Sequence, residues 1–306
     1  MPRENFKSFA ESWSEKVLPS WKPSSAASAR HHLAHHLYPA FGELKLVQIN
    51  TENIQGFVSR LVSEGRSRAY IMNIVITLAS VLRSAARWGQ KVHKVDYEAL
   101  VFPVAGAKQK GRSYTEEQVM HVLKEAPEPD RTIYALAAMT GMRSGEMAAL
   151  SWSDIDLQAG IIQVRRSCFR GTMTSVKSKA GNRTIPMPDA LIDILVTHGK
   201  RTSMDGLLFK GRKGNNPINM SDFASRHLHP LLKRLGIPRA GWHAFRHAQA
   251  TALVNSGANP KIAQAQLGHS DVRVTLELYS HLVSTEHRKA VSRVAERFLP
   301  KASNED

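Results

Sequence analysis

Trp242-His243-Ala244-Phe245-Arg246-His247 sets a histidine and an arginine at i and i+3, on one face of a helix. Trp242 and Phe245, between and beside them, are expected to anchor that helix in a core. His243 and His247 stand at i and i+4, a spacing that also suits a zinc pair. No Glu lies between them as in a metalloprotease helix, however, and no third ligand is evident. A histidine beside an arginine fits a phosphate better than a metal.

Downstream, Gly257-Ala258-Asn259-Pro260 and the residues to Leu267-Gly268-His269-Ser270 read as helix, turn, helix. Tyr279 follows His269 by ten residues, in Thr275-Leu276-Glu277-Leu278-Tyr279-Ser280-His281. Upstream, Gly141-Met142-Arg143-Ser144-Gly145-Glu146 places Arg143 just after a glycine break where a helix begins. There a guanidinium can grip two phosphate oxygens, and Glu146 is expected to fix it. Val176-Lys177-Ser178-Lys179-Ala180-Gly181-Asn182-Arg183-Thr184-Ile185-Pro186 reads as a basic hairpin, with Lys179 and Arg183 as DNA contacts and Lys177 or Lys179 able to donate a proton. Each piece has a plain alternative. Tyr279 alone suits a core, His269 a structural role, Arg143 with Glu146 a surface ion pair, and the basic stretch an electrostatic contact. Together they differ. Two arginines, a lysine and two histidines can neutralise and protonate a phosphodiester, and a tyrosine can attack one.

This order of Arg, Lys, His-x-x-Arg, His and Tyr resembles the tyrosine recombinase (phage integrase) family. Ala149-Leu150-Ser151-Trp152-Ser153-Asp154-Ile155-Asp156 resembles the segment that follows the family's first arginine. Set against the family pattern Lys-Thr-x-x-x-Arg-x-Ile-Pro, Lys177 is the better candidate for the lysine, with Lys179 kept open. The stretch from Leu37-Tyr38-Pro39-Ala40-Phe41-Gly42 to Ile49-Asn50-Thr51 resembles the family's core-binding domain. The likeness runs from about Phe6 to Phe298. It implies a mainly α protein with a small β-sheet (α+β). A helical, SAM-like core-binding domain over 1–105 and a linker over 106–112 would precede a catalytic domain over 113–306.

The implied activity is site-specific DNA recombination or integration through a covalent 3′-phosphotyrosine, encoded by a phage or another mobile element. The implied catalytic residues are Arg143, Lys177, His243, Arg246, His269 and Tyr279, with no cofactor and no metal. The implied partners are double-stranded DNA and three further copies in a homotetramer on two sites, the free chain being a monomer or weak oligomer. The tail, where Val283, Ala290, Val291, Val294, Ala295, Phe298 and Leu299 share a helical face, would dock on a neighbouring protomer. The chain starts almost directly on the core-binding domain, which suggests a recombinase without an arm-binding module. Two other readings stay open: a non-catalytic DNA-binding regulator of the same fold, and a type IB topoisomerase-like enzyme.

Composition agrees with a polyanionic partner. The 306 residues carry a formal net charge of +16, with a pI near 10.1. Lys and Arg outnumber Asp and Glu in both halves, so the charge is not confined to a tail. Cys168 is the single cysteine, which rules out an internal disulfide and a cysteine-based zinc site and points to a reducing compartment. Residues 1–20 mix charges with apolar residues, and no stretch of about 18 apolar residues stands out, so neither a signal peptide nor a membrane span is expected. The bacterial cytoplasm, at the nucleoid, is the expected place.

Periodicity fills in the rest. A helix through His31-His32-Leu33-Ala34-His35-His36-Leu37 is expected to stop at Pro39 and to show its histidines as a polar, DNA-facing surface. A second is expected to open with Thr51 as cap and to bury Ile54, Phe57, Val58, Leu61 and Val62. A third runs through Ile71, Ile74, Val75, Leu78 and Leu82 to Trp88 and Gly89. Thr115 and Gln118 look like a capping box, Ile133 to Thr140 an apolar helix, and Ile161–Val164, Met173–Val176 and Arg183–Pro186 three short strands.

Overall fold

The computed structural model describes residues 5–104, 112–176, 181–211, 214 and 216–268. Its contacts divide the chain into two units, Met1–Lys110 and Gly111–Asp306. Helices build most of both, and the small antiparallel sheets lie in the second, as the α+β expectation had it.

In the first unit, α1 (Phe6–Val17) is capped by Asn5, whose Oδ1 accepts from the Ser8 amide at 2.9 Å. The next helix corrects an expectation. α2 (Pro23–His32) runs without a break through a π turn (Leu33–Leu37) into α3 (Tyr38–Phe41), so Pro39 does not stop it. Proline lacks an N–H, and its ring collides with the carbonyl four residues back. The π turn, closed by the Tyr38 amide donating to the Leu33 carbonyl, widens the backbone just ahead of the ring.

Asn50, not Thr51, caps α4 (Thr51–Ser63). Its Oδ1 accepts from the Asn53 amide at 2.9 Å, and the Thr51 hydroxyl instead accepts from the Asp96 amide at 3.0 Å. Ile54, Phe57, Val58 and Leu61 are buried as expected, whereas Val62 is exposed. They pack with Ile71, Ile74, Leu78 and Leu82 of α5 (Arg68–Arg87) around Phe6, Trp13 and Phe41. Each such side chain stabilises the unit by about 1.5–3 kcal/mol. An 18-residue window of α5 has a mean hydropathy of 1.5, long and apolar enough to cross a bilayer by length and composition alone. Half of that window is buried in the unit's own core.

The histidines also depart from a uniformly outward surface. His32 Nδ1 lies 2.9 Å from Thr77 Oγ1 and His36 Nε2 2.8 Å from the Tyr70 hydroxyl, so both face α5. Burial, and then the neighbouring His31 and His36, hold His32 below the ordinary imidazole pKa. His31 and His35 stay exposed, their rings 4.4 Å apart.

The second unit opens with α6 (Glu116–Glu125), capped reciprocally by Thr115 and Gln118 at 3.1 and 3.2 Å. The buried helix α7 (Asp130–Thr140) ends at Gly141, whose φ of 63° turns the chain sharply into α8 (Ser144–Ala148). Five strands follow: β1 (Ile155–Asp156), β2 (Ile161–Val164), β3 (Arg166–Phe169), β4 (Thr172–Ser175) and β5 (Arg183–Pro186). One antiparallel sheet has the order β1-β2-β5, and β3 and β4 form a separate pair.

The hairpin is therefore not where it was expected. β3 and β4 turn through Arg170 and Gly171, with φ of 49° and 84°, and pair Phe169 with Thr172. Two positive φ values in a two-residue loop match the twist of the flanking strands. The basic stretch after Val176 instead joins β4 to β5, which belong to different sheets. Among the described residues, the remaining helices are α9 (Asp189–Thr202), α10 (Met220–Phe223), α11 (His229–Arg234), α12 (Trp242–Asn255) and α13 (Pro260–Leu267). A second π turn (Ala224–Leu228) joins α10 to α11 just ahead of Pro230. Trp242 and Phe245 sit in the core with Tyr134, and the Trp242 indole donates to the Met220 carbonyl at 2.7 Å.

Candidate active site

Three arginines from three elements meet at the last turn of α13. Arg143 caps α8, Arg183 opens β5 and Arg246 lies in the second turn of α12. Arg183 Nε donates to the Gln266 carbonyl at 2.9 Å, Arg246 Nη2 to Leu267 at 2.6 Å, and Arg143 Nη2 to Gly268 at 3.1 Å. A helix C-terminus leaves its carbonyls without intrahelical partners and carries partial negative charge, so cations settle there. Gly268 ends the helix with a φ of 63°.

Glu146 ties the cluster from the other side. Its Oε1 accepts from Arg143 Nη1 at 2.9 Å, while Oε2 accepts from the Arg143 amide and from Arg183 Nη2, both at 3.0 Å. Its side chain is only 3% exposed. Burial alone would raise its carboxyl pKa, but the bond and charge of Arg183, with the bonds from Arg143, hold it below the usual carboxylate range. A depressed acid stabilises the fold above its unfolded pKa, and that contribution fades as pH falls through the lower, folded value.

Arg246 is buried, and its Nη1 donates to the Gly141 carbonyl at 2.7 Å. Burial, then Arg143 and Arg183 nearby, pushes its pKa down to about 9 against the pull of Glu146, so it remains protonated at neutral pH. Three guanidinium groups thus share one carboxylate, and the excess positive charge suits an oxyanion. His243 is exposed on the first turn of α12, its ring 6.4 Å from that of His247. Burial, then Arg246, lowers the pKa of His247. Among the described residues, no three His, Cys, Asp or Glu side chains form a group suited to a metal.

Of the expected site residues, Arg143, Glu146, Arg183 and Arg246 come together, and His243 shares a helix with Arg246. Lys177, Lys179, His269, Tyr279 and the apolar stripe of the tail lie outside the described residues. Arg183 sits deeper than a DNA contact was expected to. It was expected to contact DNA, yet its side chain is 6% exposed, and its three nitrogens donate to Gln266, Gly181 and Glu146. A signal was available in the strand: Arg183 and Ile185 are two apart, and Ile185 is fully buried, so Arg183 shares the inward face. Gln266, whose side chain donates to the Thr140 carbonyl at 3.3 Å, had no such signal.

Gly141 makes the convergence sterically exact. A Cβ there would sit 2.7 Å from Leu267 Cδ2 and 3.3 Å from Gln249 Cγ, at a φ that side chains rarely adopt. Gly141→Ala is expected to cost about 1–3 kcal/mol, which lowers the melting temperature of a unit this size by roughly 2–10 °C. Calorimetry checks this, and a melting point equal to that of the unchanged chain would mean that Leu267 is not held against α7.

Comparison with known proteins comes to the same place. Residues 110–286 match the phage integrase family, and residues 5–62 match the phage integrase N-terminal SAM-like domain. A tyrosine recombinase XerC-like protein of Caldanaerobacter subterraneus is 25% identical over 93% of this chain and 81% of its own length. The XerD tyrosine recombinase of Vibrio vulnificus is 26% identical over 91% and 90%. Among solved structures, a Tn1549 transposon integrase in complex with transposon right end DNA superposes with a TM-score of 0.73 at 19% identity, covering 94% of this chain and 98% of that one. A lambda integrase tetramer bound to a Holliday junction gives 0.66 at 19%, covering 87% and 78%.

Proposed function

The chain belongs to the phage integrase family of tyrosine-type site-specific DNA recombinases, and on that premise we propose how its residues divide the work. The observation that carries the assignment is the Arg143, Glu146, Arg183 and Arg246 cluster at the end of α13, one residue ahead of His269. The Tyr279 oxygen attacks the scissile phosphorus and gives its proton to His243. Arg143, Arg246 and His269 hold the non-bridging oxygens as charge accumulates on them. The bond to the 5′ oxygen breaks, and Lys177 protonates that oxygen, leaving the DNA 3′ phosphate esterified to Tyr279. A 5′ hydroxyl from the partner strand reverses the step. Ester bond energy is conserved throughout, so these residues require no nucleotide hydrolysis.

The DNA partner follows from the family and from the +16 charge, which favours a salt-sensitive grip on phosphates. Residues 1–105 would hold one face of the duplex as the core-binding domain, with 106–112 as linker and 113–306 carrying the chemistry. Two duplexes exchanging strands need four nucleophiles, which favours a homotetramer closed head to tail through the C-terminal segment. A lambda integrase tetramer on a Holliday junction has this stoichiometry. A phage or other mobile element as the source, and the bacterial cytoplasm as the place, complete the reading.

The test is to incubate the full chain with a pool of randomised, nicked duplexes in EDTA and to recover protein-linked DNA under denaturing conditions. A covalent adduct enriched in one sequence is expected. DNA bound only non-covalently would instead favour a regulator that has kept the fold, and adducts without sequence preference a topoisomerase-like enzyme.

The lysine can be assigned chemically. Lys177→Ala is expected to block cleavage of ordinary DNA but to spare a substrate whose bridging 5′ oxygen is replaced by sulfur, since a thiolate leaves without a proton. Single-turnover cleavage of both substrates measures it. Rescue in Lys179→Ala rather than Lys177→Ala would move the acid to Lys179.

A further inference from the structure

Arg183 spends its guanidinium entirely inside the protein. Nη2 reaches Glu146 in α8, Nε the Gln266 carbonyl at the end of α13, and Nη1 the Gly181 carbonyl just before its own strand. It therefore joins the carboxylate that orients Arg143 to the helix end that precedes His269. We propose that Arg183 is a positioning residue for strand cleavage: it fixes Glu146 against Arg143 and anchors the last turn of α13, and makes no contact with DNA. The inference rests on the recombinase reading above.

The physical case has two parts. Among the described residues, Glu146 Oε2 accepts from two donors, the Arg143 amide and Arg183. Without Arg183, a carboxylate 3% exposed loses its second cation and is free to rotate, and Arg143 loses its fixed counter-charge. The Gln266 carbonyl, already beyond intrahelical bonding, loses its donor as well. Lysine cannot substitute, because a single ammonium does not span three acceptors in one plane. A side chain only 6% exposed presents little of its guanidinium to a phosphate.

The test uses the full chain and the nicked site duplex recovered above, with Arg183→Gln and Arg183→Lys. Both variants should bind with unchanged affinity and salt dependence, while covalent adduct forms about 100-fold more slowly at saturating protein, the scale of a misplaced catalytic group. In a Glu146→Gln background, adding Arg183→Gln should cost at least about threefold less than it costs in the unchanged chain, because the part of its effect that runs through Glu146 is already lost. Weaker binding with a salt slope shallower by about one unit would make Arg183 a phosphate contact and overturn the proposal. So would an unchanged rate, or the same fold-loss in both backgrounds. If Arg183→Gln does not fold, Arg183→Lys decides: slow cleavage supports positioning, and a rate equal to that of the unchanged chain refutes it. If the unchanged chain forms no adduct, the recombinase reading fails instead.

Discussion

Tyr279→Phe is expected to bind its site as tightly as the unchanged chain and to form no covalent adduct with DNA. The substitution removes one oxygen and leaves the ring, so packing and the basic surface survive while the nucleophile does not. A phenyl ring offers phosphorus no oxygen to bond. Lys177 and Lys179 would give an acid-labile phosphoramidate, and the arginines are protonated at neutral pH. Denaturing electrophoresis with a nicked substrate separates the two outcomes. An adduct of undiminished yield in the variant would place the nucleophile elsewhere.

Removal of Arg246 should be nearly as severe and should damage two properties at once. Losing one donor to a developing oxyanion costs roughly 2.7–4 kcal/mol of transition-state stabilisation, or about 10²- to 10³-fold in cleavage rate. Arg246→Ala also leaves the Gly141 and Leu267 carbonyls without the donors they now have at 2.7 and 2.6 Å. Each buried acceptor so orphaned costs about 1–3 kcal/mol of stability. Arg143→Ala should match the loss in rate but melt closer to the unchanged chain, because its side chain is 34% exposed and water can replace it. Arg246→Lys should rescue little, since an ammonium cannot bond two carbonyls and a phosphate as a planar fork does. Single-turnover cleavage beside a thermal melt reads both effects. Cleavage within tenfold of the unchanged chain in Arg246→Ala would remove this residue from the mechanism.

Helices were legible in the sequence wherever a single residue signals their ends. Thr115 with Gln118, Gly89 and Gly141 all mark boundaries that the structure keeps. Elsewhere two signals competed. Asn50 and Thr51 are both good caps, and only the Thr51 contact with the Asp96 amide decides between them. Pro39 is a helix breaker by local rules, yet a π turn absorbs it, which depends on packing of α2 and of the π turn itself against α5. The Arg170–Gly171 turn escaped because arginine seldom takes positive φ, so the hairpin was assigned to the more obviously basic stretch beyond it. In the site, order along the chain was enough to pick out Arg143, Glu146 and Arg246. It could not separate Arg183 from a DNA contact, because a basic residue in a basic segment looks the same whether its guanidinium faces a phosphate or a carbonyl. Lys177, Lys179, His269 and Tyr279 rest on the family likeness.

The carbonyls of Gln266, Leu267 and Gly268 have a bearing on the speed of the chemistry. In the absence of DNA, the Leu267 and Gly268 carbonyls hold Arg246 and Arg143 as a phosphate oxygen would, and the Gln266 carbonyl keeps Arg183 beside them. Like-charge repulsion among the three arginines is therefore overcome as the chain folds, not when the duplex arrives. A scissile phosphate meets donors already gathered and oriented, and little reorganisation energy is left for the encounter. The same arrangement guards against collapse: without those carbonyls, the uncompensated cations would turn outward to water and would have to be drawn back, against their hydration, at every turnover.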